Sequence, residues 1–433
     1  MEDKWNKTIM YKVYLKQAWQ MLKEDKVISI ITILGTALAI TMIMVIILTQ
    51  RIKTTNIGAE VNRERTMYIT YVIEKGKKSG YTNISPLNVD NYKQYLSLLS
   101  TPEKISLIMK YQDGVCVEGN DTYYKADIKY TDAAYWNIYS FSFISGRPFA
   151  EGEFQSGVPL AVISKSMARK LFNDTNTALG KTFILNKKVY KVIGIVNDVP
   201  TLCLYAYAQI WVPYTSTSYN DPNYNAYKAI VLAKNKSDFL KIKSEVRRSE
   251  IANNLQPDKK EIWFFGPFTD EELLIKGQGN SDANEPDYLK GRLRFFLTII
   301  VLLLIPAINL SGFSMFKIIN RTSEIGIRRA FGADKKTILM QILYENFLTS
   351  IIGGIIGLVL SSMAVILVKD RLFGHADWMS SDLLGENTIP ISAFISPWVF
   401  FYVFLACVLL NLLSSGIPAW RASKLNIVEA IKN

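Results

Sequence analysis

The sequence has very little of the chemistry that enzymes use. It contains a single histidine, His375, among 433 residues, so a Ser-His pair or a histidine-based metal site lacks its parts. Neither G-x-S-x-G nor H-E-x-x-H occurs, and no G-x-x-x-x-G-K-[ST] segment is present to hold nucleotide phosphates. We therefore predict no catalytic residue, no metal site and no bound cofactor, and we expect that the chain is not an enzyme.

Two short motifs resemble chemical sites, and each has a simpler explanation. Ser314–Lys317 spells S-x-x-K, but it lies at the end of a long apolar run, and we interpret the match as a coincidence. Asp270–Glu272 has the charge to bind a cation, whereas an exposed acidic turn explains it as well and is favoured. The three cysteines form no framework, since Cys407 lies in an apolar run. Cys116 and Cys203 either pair or remain two free buried thiols, and the second outcome is favoured.

Four stretches are apolar and free of charge over the length that crosses a bilayer. About 20 apolar residues at 1.5 Å each span a hydrocarbon core roughly 30 Å thick. A buried helix of a soluble protein is the alternative for any one run, but it does not account for four. The first run is long for a signal peptide and precedes no small-x-small cleavage site, so we expect an uncleaved anchor. The predicted spans are 27–48, 295–316, 347–368 and 395–416.

Charge orients these spans. Lysine and arginine concentrate in the segments 1–26, 317–346 and 417–433, whereas the segment 369–394 carries Asp377, Asp382 and Glu386. Basic segments stay on the cytoplasmic side, so both termini are predicted to be cytoplasmic and residues 51–294 to lie outside. The cytoplasmic part of the net charge of +12 follows this rule, and the outer part is spread over some 240 residues. We therefore predict lipid and not nucleic acid as a partner.

The predicted outer region reads as a folded domain. Lys181–Val196 has the pattern of a hairpin that turns at 186–188, and Val158–Ile163 reads as a strand. Ser164 can cap a helix after that strand, and 277–286 reads as a surface loop. The helix is expected to bury Met167, Ala168, Leu171 and Phe172. The fold class is α+β: a four-helix transmembrane domain, one span and then three, with a large mixed α+β extracytoplasmic domain between spans 1 and 2.

The basic segment between the second and third spans has helical spacing. Ile327, Ala330 and Phe331 recur at i, i+3 and i+4, which predicts one apolar face, and Glu324 precedes Arg328 in the favourable i, i+4 order. Gly332 is expected to end this helix and Asp334 to cap the next one. A short rigid helix of this kind can seat in a groove of a partner protein. The alternative is a loop that only touches anionic lipid head groups.

The spans themselves carry two features. Pro306 removes a backbone donor and Asn309 supplies polar groups one turn later, which predicts a kink or a polar contact in the second span. Gly353 and Gly357 form a small-x-x-x-small pair on the third span. The pair packs either within the chain or across a dimer, and the sequence leaves both open.

Several segments together resemble the MacB-like/FtsX-like permeases of ABC transporters. Arg321–Ala333 is similar to the hallmark segment of that family, and Pro418–Ile431 is similar to its C-terminal signature, with Asn426 where members often have proline. The outer region follows the order of the family's periplasmic core domain, in which the matching pieces are Gly146–Phe149, Val162–Ser164, Leu171–Phe172, Gly180–Lys181 and Val192–Val196.

The resemblance implies a complex of two permease chains, identical or paralogous, with two ATPase subunits in the inner membrane of a bacterium. With only 26 residues before the first span, we expect the ATPase to be a separate polypeptide. Members of this architecture transmit the ATPase cycle mechanically to their outer domains instead of opening a channel. The residues that match the hallmark segment are the expected ATPase-coupling residues, namely Glu324, Ile325, Gly326, Ile327, Arg328, Arg329, Ala330, Phe331 and Gly332.

Other functions stay open at this point. The resemblance also allows an FtsX-like regulator of a cell-wall hydrolase. A periplasmic adaptor is the further partner that export implies, and a cell-wall hydrolase is the one that regulation implies. A receptor that senses the exterior is disfavoured, because only about 15 residues follow Pro418, too few for an output domain. A channel or secondary carrier is disfavoured because the four runs contain no Asp, Glu, Lys or Arg.

Overall fold

The computed structural model describes residues 16–20, 22–24, 26–77, 81–119, 122–175, 177–217, 227–276, 288–320, 322–332, 334–373 and 397–423. They fall into two compact units. A helical unit is drawn from Met1–Gln50, Arg292–Leu372 and Ile391–Asn433, and a sheet unit is drawn from Arg51–Gly291 and Phe373–Pro390. The N-terminal segment 1–15, the loop 277–286, the acidic residues at 377–386 and the tail from 424 lie outside the described residues, as does His375.

The helices with defined bounds are, in chain order, α1 Lys26–Thr54, α2 Val89–Asn91, α3 Tyr135–Ile138, α4 Glu151–Gln155, α5 Lys165–Phe172, α6 Phe239–Asn254, α7 Asp270–Lys276, α8 Tyr288–Asn320, α9 Thr322–Ala330, α10 Lys335–Phe373 and α11 Pro397–Ser423. Short 3-10 turns occupy Arg63–Arg65, Tyr214–Ser216 and Lys236–Asp238, and a π turn occupies Tyr92–Leu96.

The strands are β1 Thr66–Ile69, β2 Tyr71–Lys75, β3 Thr82–Pro86, β4 Lys104–Cys116, β5 Tyr124–Thr131, β6 Phe143–Gly146, β7 Leu160–Ser164, β8 Thr182–Leu185, β9 Lys188–Val196, β10 Ile210–Pro213, β11 Lys228–Leu232 and β12 Glu261–Phe265. Nine of them form a mixed sheet in the order β1-β11-β4-β5-β10-β7-β9-β6, with β8 paired to β4 and β9. The other three form an antiparallel sheet in the order β12-β2-β3. The sheet unit is therefore mixed α+β, as the sequence predicts.

The hairpin predicted at Lys181–Val196 is present. β8 pairs antiparallel with β9, with Leu185 opposite Lys188. Asn186 and Lys187 connect them with φ of 49° and 61°. Two successive positive φ angles match the right-handed twist of the flanking strands, which is why a two-residue turn closes this hairpin.

The helix predicted after Ser164 is also present. The Ser164 hydroxyl accepts a hydrogen bond from the Met167 N–H at 3.2 Å, and α5 follows directly. Met167, Ala168 and Leu171 are buried, so the predicted apolar face packs into the core. The strand before it begins at Leu160 instead of Val158, because the residue 158 N–H pairs with Glu153 in the preceding turn.

The core of the sheet unit is rich in aromatic side chains. Trp211, Phe183 and Tyr190 are nearly or fully buried, and the rings of Phe183 and Tyr190 stack at 6.0 Å. Cys116 and Cys203 are buried free thiols, the outcome that the sequence favours.

Two described helical segments are long and apolar enough to cross a membrane, Lys26–Thr49 and Lys336–Leu367. Only 39% of the first apolar window and 33% of the second is buried, so neither is the enclosed core helix of a soluble domain. A shorter apolar helix runs from Pro397 to Leu409. α8 is a continuous helix that contains the predicted span 295–316. The four-span arrangement stays a prediction.

Candidate functional site

The predicted coupling segment folds as its own short helix, α9, between two long ones. The Thr322 hydroxyl donates to the Ile319 carbonyl at 2.8 Å where α8 ends and α9 begins. At the other end the Phe331 N–H donates to the Ile327 carbonyl at 3.0 Å, and Gly332 follows with a φ of 92°. Only glycine enters this left-handed region without steric cost, so the helix ends where the sequence predicts.

One side of α9 is seated on its own chain. Ile325 is 9% exposed and packs with Ile338 and Ile342 of α10, and Gly326 beside it is buried. Arg328 donates to the Gln341 side-chain oxygen at 3.0 Å, a second tie between the two helices. An apolar contact and a charge-assisted hydrogen bond thus orient α9 against α10.

The opposite side of α9 is apolar and exposed. Ile327 is 50% exposed and Phe331 is 89% exposed, and Ala330 lies beside them. Residues four apart share a helix face, whereas Ile325 and Ile327 are two residues, about 200°, apart and point in opposite directions. We call Ile327, Ala330 and Phe331 the docking face.

Two of the coupling residues lie outside this description. The side chains of Glu324 and Arg329 are not among those described, so the predicted Glu324–Arg328 pair stays a prediction. Asp334 directly precedes α10, and its carbonyl accepts from the Thr337 and Ile338 N–H groups at 3.0 and 3.3 Å. These bonds start α10 one turn after α9 ends.

The glycines of the third predicted span lie against α1. A Cβ built on Gly353 would come within 2.8 Å of the Thr36 Cβ, and one on Gly357 within 2.9 Å of the Ala37 carbonyl oxygen. The Thr41 hydroxyl also lies 3.3 Å from the Gly357 carbonyl oxygen. Both helices advance in the same direction along this contact, so the glycine pair packs parallel helices within one chain.

The predicted kink site lies within α8, which runs unbroken from Tyr288 to Asn320. The side chains of Pro306 and Asn309 are outside the described residues, so their role stays a prediction.

A cluster of buried charges in the sheet unit was not anticipated. Glu60 is fully buried and accepts two hydrogen bonds from Arg63, at 2.8 and 2.5 Å. Asp270 lies 3.6 Å from the Arg63 Nε. Burial by itself lowers the pKa of Arg63, but the charges of Glu60 and Asp270 outweigh it and the pKa lies above its ordinary value. We call Glu60, Arg63 and Asp270 the junction cluster.

The expectation of an exposed acidic turn at Asp270–Glu272 is wrong, because the triplet opens helix α7 and only Glu271 is exposed. Glu272 is buried, accepts from the Lys243 ammonium at 2.6 Å and accepts from the Thr269 N–H at 2.7 Å. Among the described residues no group of acidic, histidine or cysteine side chains is arranged to hold a metal ion. The T-x-x-E spacing of Thr269 and Glu272 is a helix-start signature that predicts α7. Nothing local in the sequence marks the long-range pairing of Arg63 with Asp270.

Two family models match successive parts of the chain. Residues 29–249 match the family described as the MacB-like periplasmic core domain, and residues 296–427 match the FtsX-like permease C-terminal family. The chain belongs to the MacB/FtsX-like family of ABC transporter permeases. Permeases of this family reside in the inner membrane and work with an ABC ATPase.

Named relatives are distant. An uncharacterized ABC transporter permease of Bacillus subtilis, YknZ, is 25% identical over 69% of this chain and 68% of its own length. The macrolide export ATP-binding/permease protein MacB of Escherichia coli K12 is 21% identical over 96% of this chain. This chain spans only 60% of that MacB sequence.

Solved structures of similar domains cover about half of the chain. The periplasmic region of MacB from Actinobacillus actinomycetemcomitans superposes with a TM-score of 0.37 at 17% identity, over 50% of this chain and 95% of that one. The extracellular domain of YknZ superposes with a TM-score of 0.34 at 16% identity, over 45% of this chain and 98% of that one.

Proposed function

We propose that this permease transmits the work of an ATPase through its long helices to the sheet unit, to export or extrude an envelope substrate. The observation that carries the proposal is the docking face. Phe331 is almost fully exposed there, while the opposite side of α9 packs against α10. A large exposed aromatic side chain on a rigid helix is a common anchor for a partner's pocket.

The ATPase is proposed to be another subunit, present in two copies beside two permease chains. The 433-residue sequence contains no P-loop motif, so ATP hydrolysis needs residues that this sequence lacks. Arg328 and Lys336, which are close to the docking face in the sequence, favour a groove with an acidic rim. In the predicted topology of four spans with both termini in the cytoplasm, α9 lies on the ATPase side and the sheet unit lies outside.

Mechanical transmission is favoured over conduction. The predicted spans contain no charged side chain, whereas proton- or ion-coupled pathways are built around such groups. The parallel contact of α10 with α1 at Gly353 and Gly357 supplies a stiff connection, because close-packed helices move together.

The test is a substitution that introduces a single charge into the docking face. The full chain is purified from its own membranes with the ATPase that accompanies it, and Phe331→Asp is compared with the wild-type chain. We expect the variant to insert into the membrane but to lose ATPase association, with stimulated ATP turnover falling about 100-fold or more. Leu255→Asp is the matched control, because Leu255 is 77% exposed in the sheet unit and should leave turnover unchanged.

Unchanged turnover in Phe331→Asp would contradict the docking role. Crosslinking from the sheet unit separates the two family functions, since export predicts capture of a cargo or adaptor and the alternative predicts capture of a wall hydrolase.

A further inference from the structure

The junction cluster connects the two stretches of the sheet unit that adjoin the long helices along the chain. Glu60 and Arg63 come directly after the end of α1 at Thr54. Asp270 is the first residue of α7, the last described element before α8. One site in the sheet unit therefore joins residues that are far apart in the sequence. These residues lie close to the two points at which the chain enters and leaves this unit.

Arg63 is the hub of that site. Its guanidinium donates to the Thr55 carbonyl at 3.2 Å and to the Leu202 carbonyl at 2.9 Å, besides its two bonds to Glu60. Glu60 in turn accepts from the Tyr205 and Ala206 N–H groups, both at 2.8 Å. A planar guanidinium with five donors can hold this many partners at once, which a lysine cannot.

The two stretches are also joined through the first strand of the large sheet. The Tyr68 N–H in β1 donates to the Phe268 carbonyl at 2.7 Å, and the Phe268 N–H donates back at 2.9 Å. The Tyr68 ring stacks on Tyr205 at 3.8 Å. Any displacement of Asp270 relative to Arg63 must therefore move the edge of the sheet or break buried polar contacts.

Some of the buried polar atoms around the cluster leave their hydrogen-bonding capacity unused. The Asp270 Oδ2 and the hydroxyls of Tyr68 and Tyr139 are buried and have no hydrogen-bond partner among the described residues. At 3.6 Å, Arg63 and Asp270 are beyond hydrogen-bond distance, and a shift of about half an ångström would close that gap. Burial also raises the pKa of Asp270 to about 7, with Arg63 opposing and Glu60 adding to that rise.

We infer that the junction cluster is a two-position joint in which Arg63 is held by Glu60 in one state and engages Asp270 in the other. The joint ties displacement of the stretch after α1 to displacement of the stretch before α8. This inference rests on the proposed mechanical function and names the residues that receive the motion. Glu60, Arg63 and Asp270 act as positioning residues.

The experiment is hydrogen–deuterium exchange on the full chain with its co-purified ATPase, without nucleotide and after trapping with ATP, magnesium and vanadate. In the wild-type complex we expect trapping to change exchange about tenfold at Tyr68, Tyr205, Ala206 and Phe268 together. In Asp270→Asn, which keeps the shape but removes the charge, this response should disappear while the response of α9 and α10 remains. Glu103→Gln is the control, because it removes a half-exposed ion pair with Arg65 in the same region.

The possible results distinguish failure of the joint from failure of the proposed function. Missing responses at Tyr205 and Phe268 in the wild-type complex, or a full response in Asp270→Asn, would overturn the joint. Missing responses in α9 and α10 of the wild-type complex would instead overturn the proposed function. Arg63→Lys is measured beside Asp270→Asn, since it keeps the charge but loses the planar guanidinium. It too should lose the response, and its melting temperature should fall because buried acceptors lose their donors.

Discussion

The two units of this protein satisfy their polar groups in opposite ways. In the sheet unit, several buried polar groups find partners far away in the sequence, as Glu60 does with Tyr205 and Ala206. In the helical unit, the described hydroxyls of α1 mostly return to their own helix, as Thr32 does to Ile28 at 2.7 Å and Thr36 to Thr32 at 2.8 Å. Where no water is present, a helix must satisfy its polar groups internally, and this difference is what a membrane imposes.

The two units also differ in what holds them together. The sheet unit encloses an aromatic core, whereas the apolar windows of the helical unit are mostly exposed. The stability of the sheet unit should therefore depend most on the size of its buried side chains. The stability of the helical unit should depend most on how closely its helix backbones approach each other.

The largest effect should come from truncating the aromatic core of the sheet unit. Phe183→Ala removes a fully buried ring that stacks on Tyr190, and a cavity of that size costs about 3–5 kcal/mol. Urea unfolding of the full chain, followed by tryptophan fluorescence, measures the loss. Val189→Ala on the partner strand is the control, because that side chain is 47% exposed and should cost little.

An intermediate effect should come from adding bulk where α10 meets α1. Gly353→Leu places a Cβ within 2.8 Å of Thr36 and 3.0 Å of the Ile33 carbonyl, and overpacking of this kind costs about 1–3 kcal/mol. Thermal unfolding in detergent should show a lower midpoint for the helical unit alone. Gly35→Leu tests the opposite case, because a Cβ there meets no atom within 4 Å. Equal losses in the two variants would refute the packing assignment.

The smallest effect, measured per pH unit, should be a change in how the stability of the sheet unit depends on pH. Burial lowers the pKa of Lys129 to about 7, with Lys110 adding to the fall and Glu60 opposing it. Between about pH 7 and the ordinary lysine value, the unfolded chain binds a proton that the folded chain lacks. Stability should therefore rise with pH in that window, by at most about 1.4 kcal/mol per pH unit.

Lys129→Met should remove that rise, and urea unfolding at several pH values measures it. Lys104→Met at the exposed start of β4 should leave the slope unchanged. A wild-type slope that persists in Lys129→Met would assign it to other groups.

Local patterns were sufficient where the physics is local. The hairpin turn at Asn186, the cap at Ser164 and the stop at Gly332 all depend on one residue's backbone or side chain, and each is found where it was predicted. The amphipathic spacing of α9 likewise identified Ile327 and Phe331 as one face.

Local patterns failed at Asp270. An acidic triplet beside a glycine-rich stretch resembles a solvated turn, and the sequence contains no sign of Arg63 some two hundred residues earlier. Charges are buried only when a distant partner compensates their loss of water, and such a partner is visible only after folding.

The sequence by itself determined the class of this protein: long uncharged runs, a basic connecting helix and a mixed α+β insertion, each readable from composition and period. Tertiary structure alone decided which side of α9 is free, that Gly353 and Gly357 meet α1 within the same chain, and that Asp270 lies beside Arg63. Periodicity is a property of neighbours along the chain, whereas burial and pairing depend on which distant segments occupy the same space.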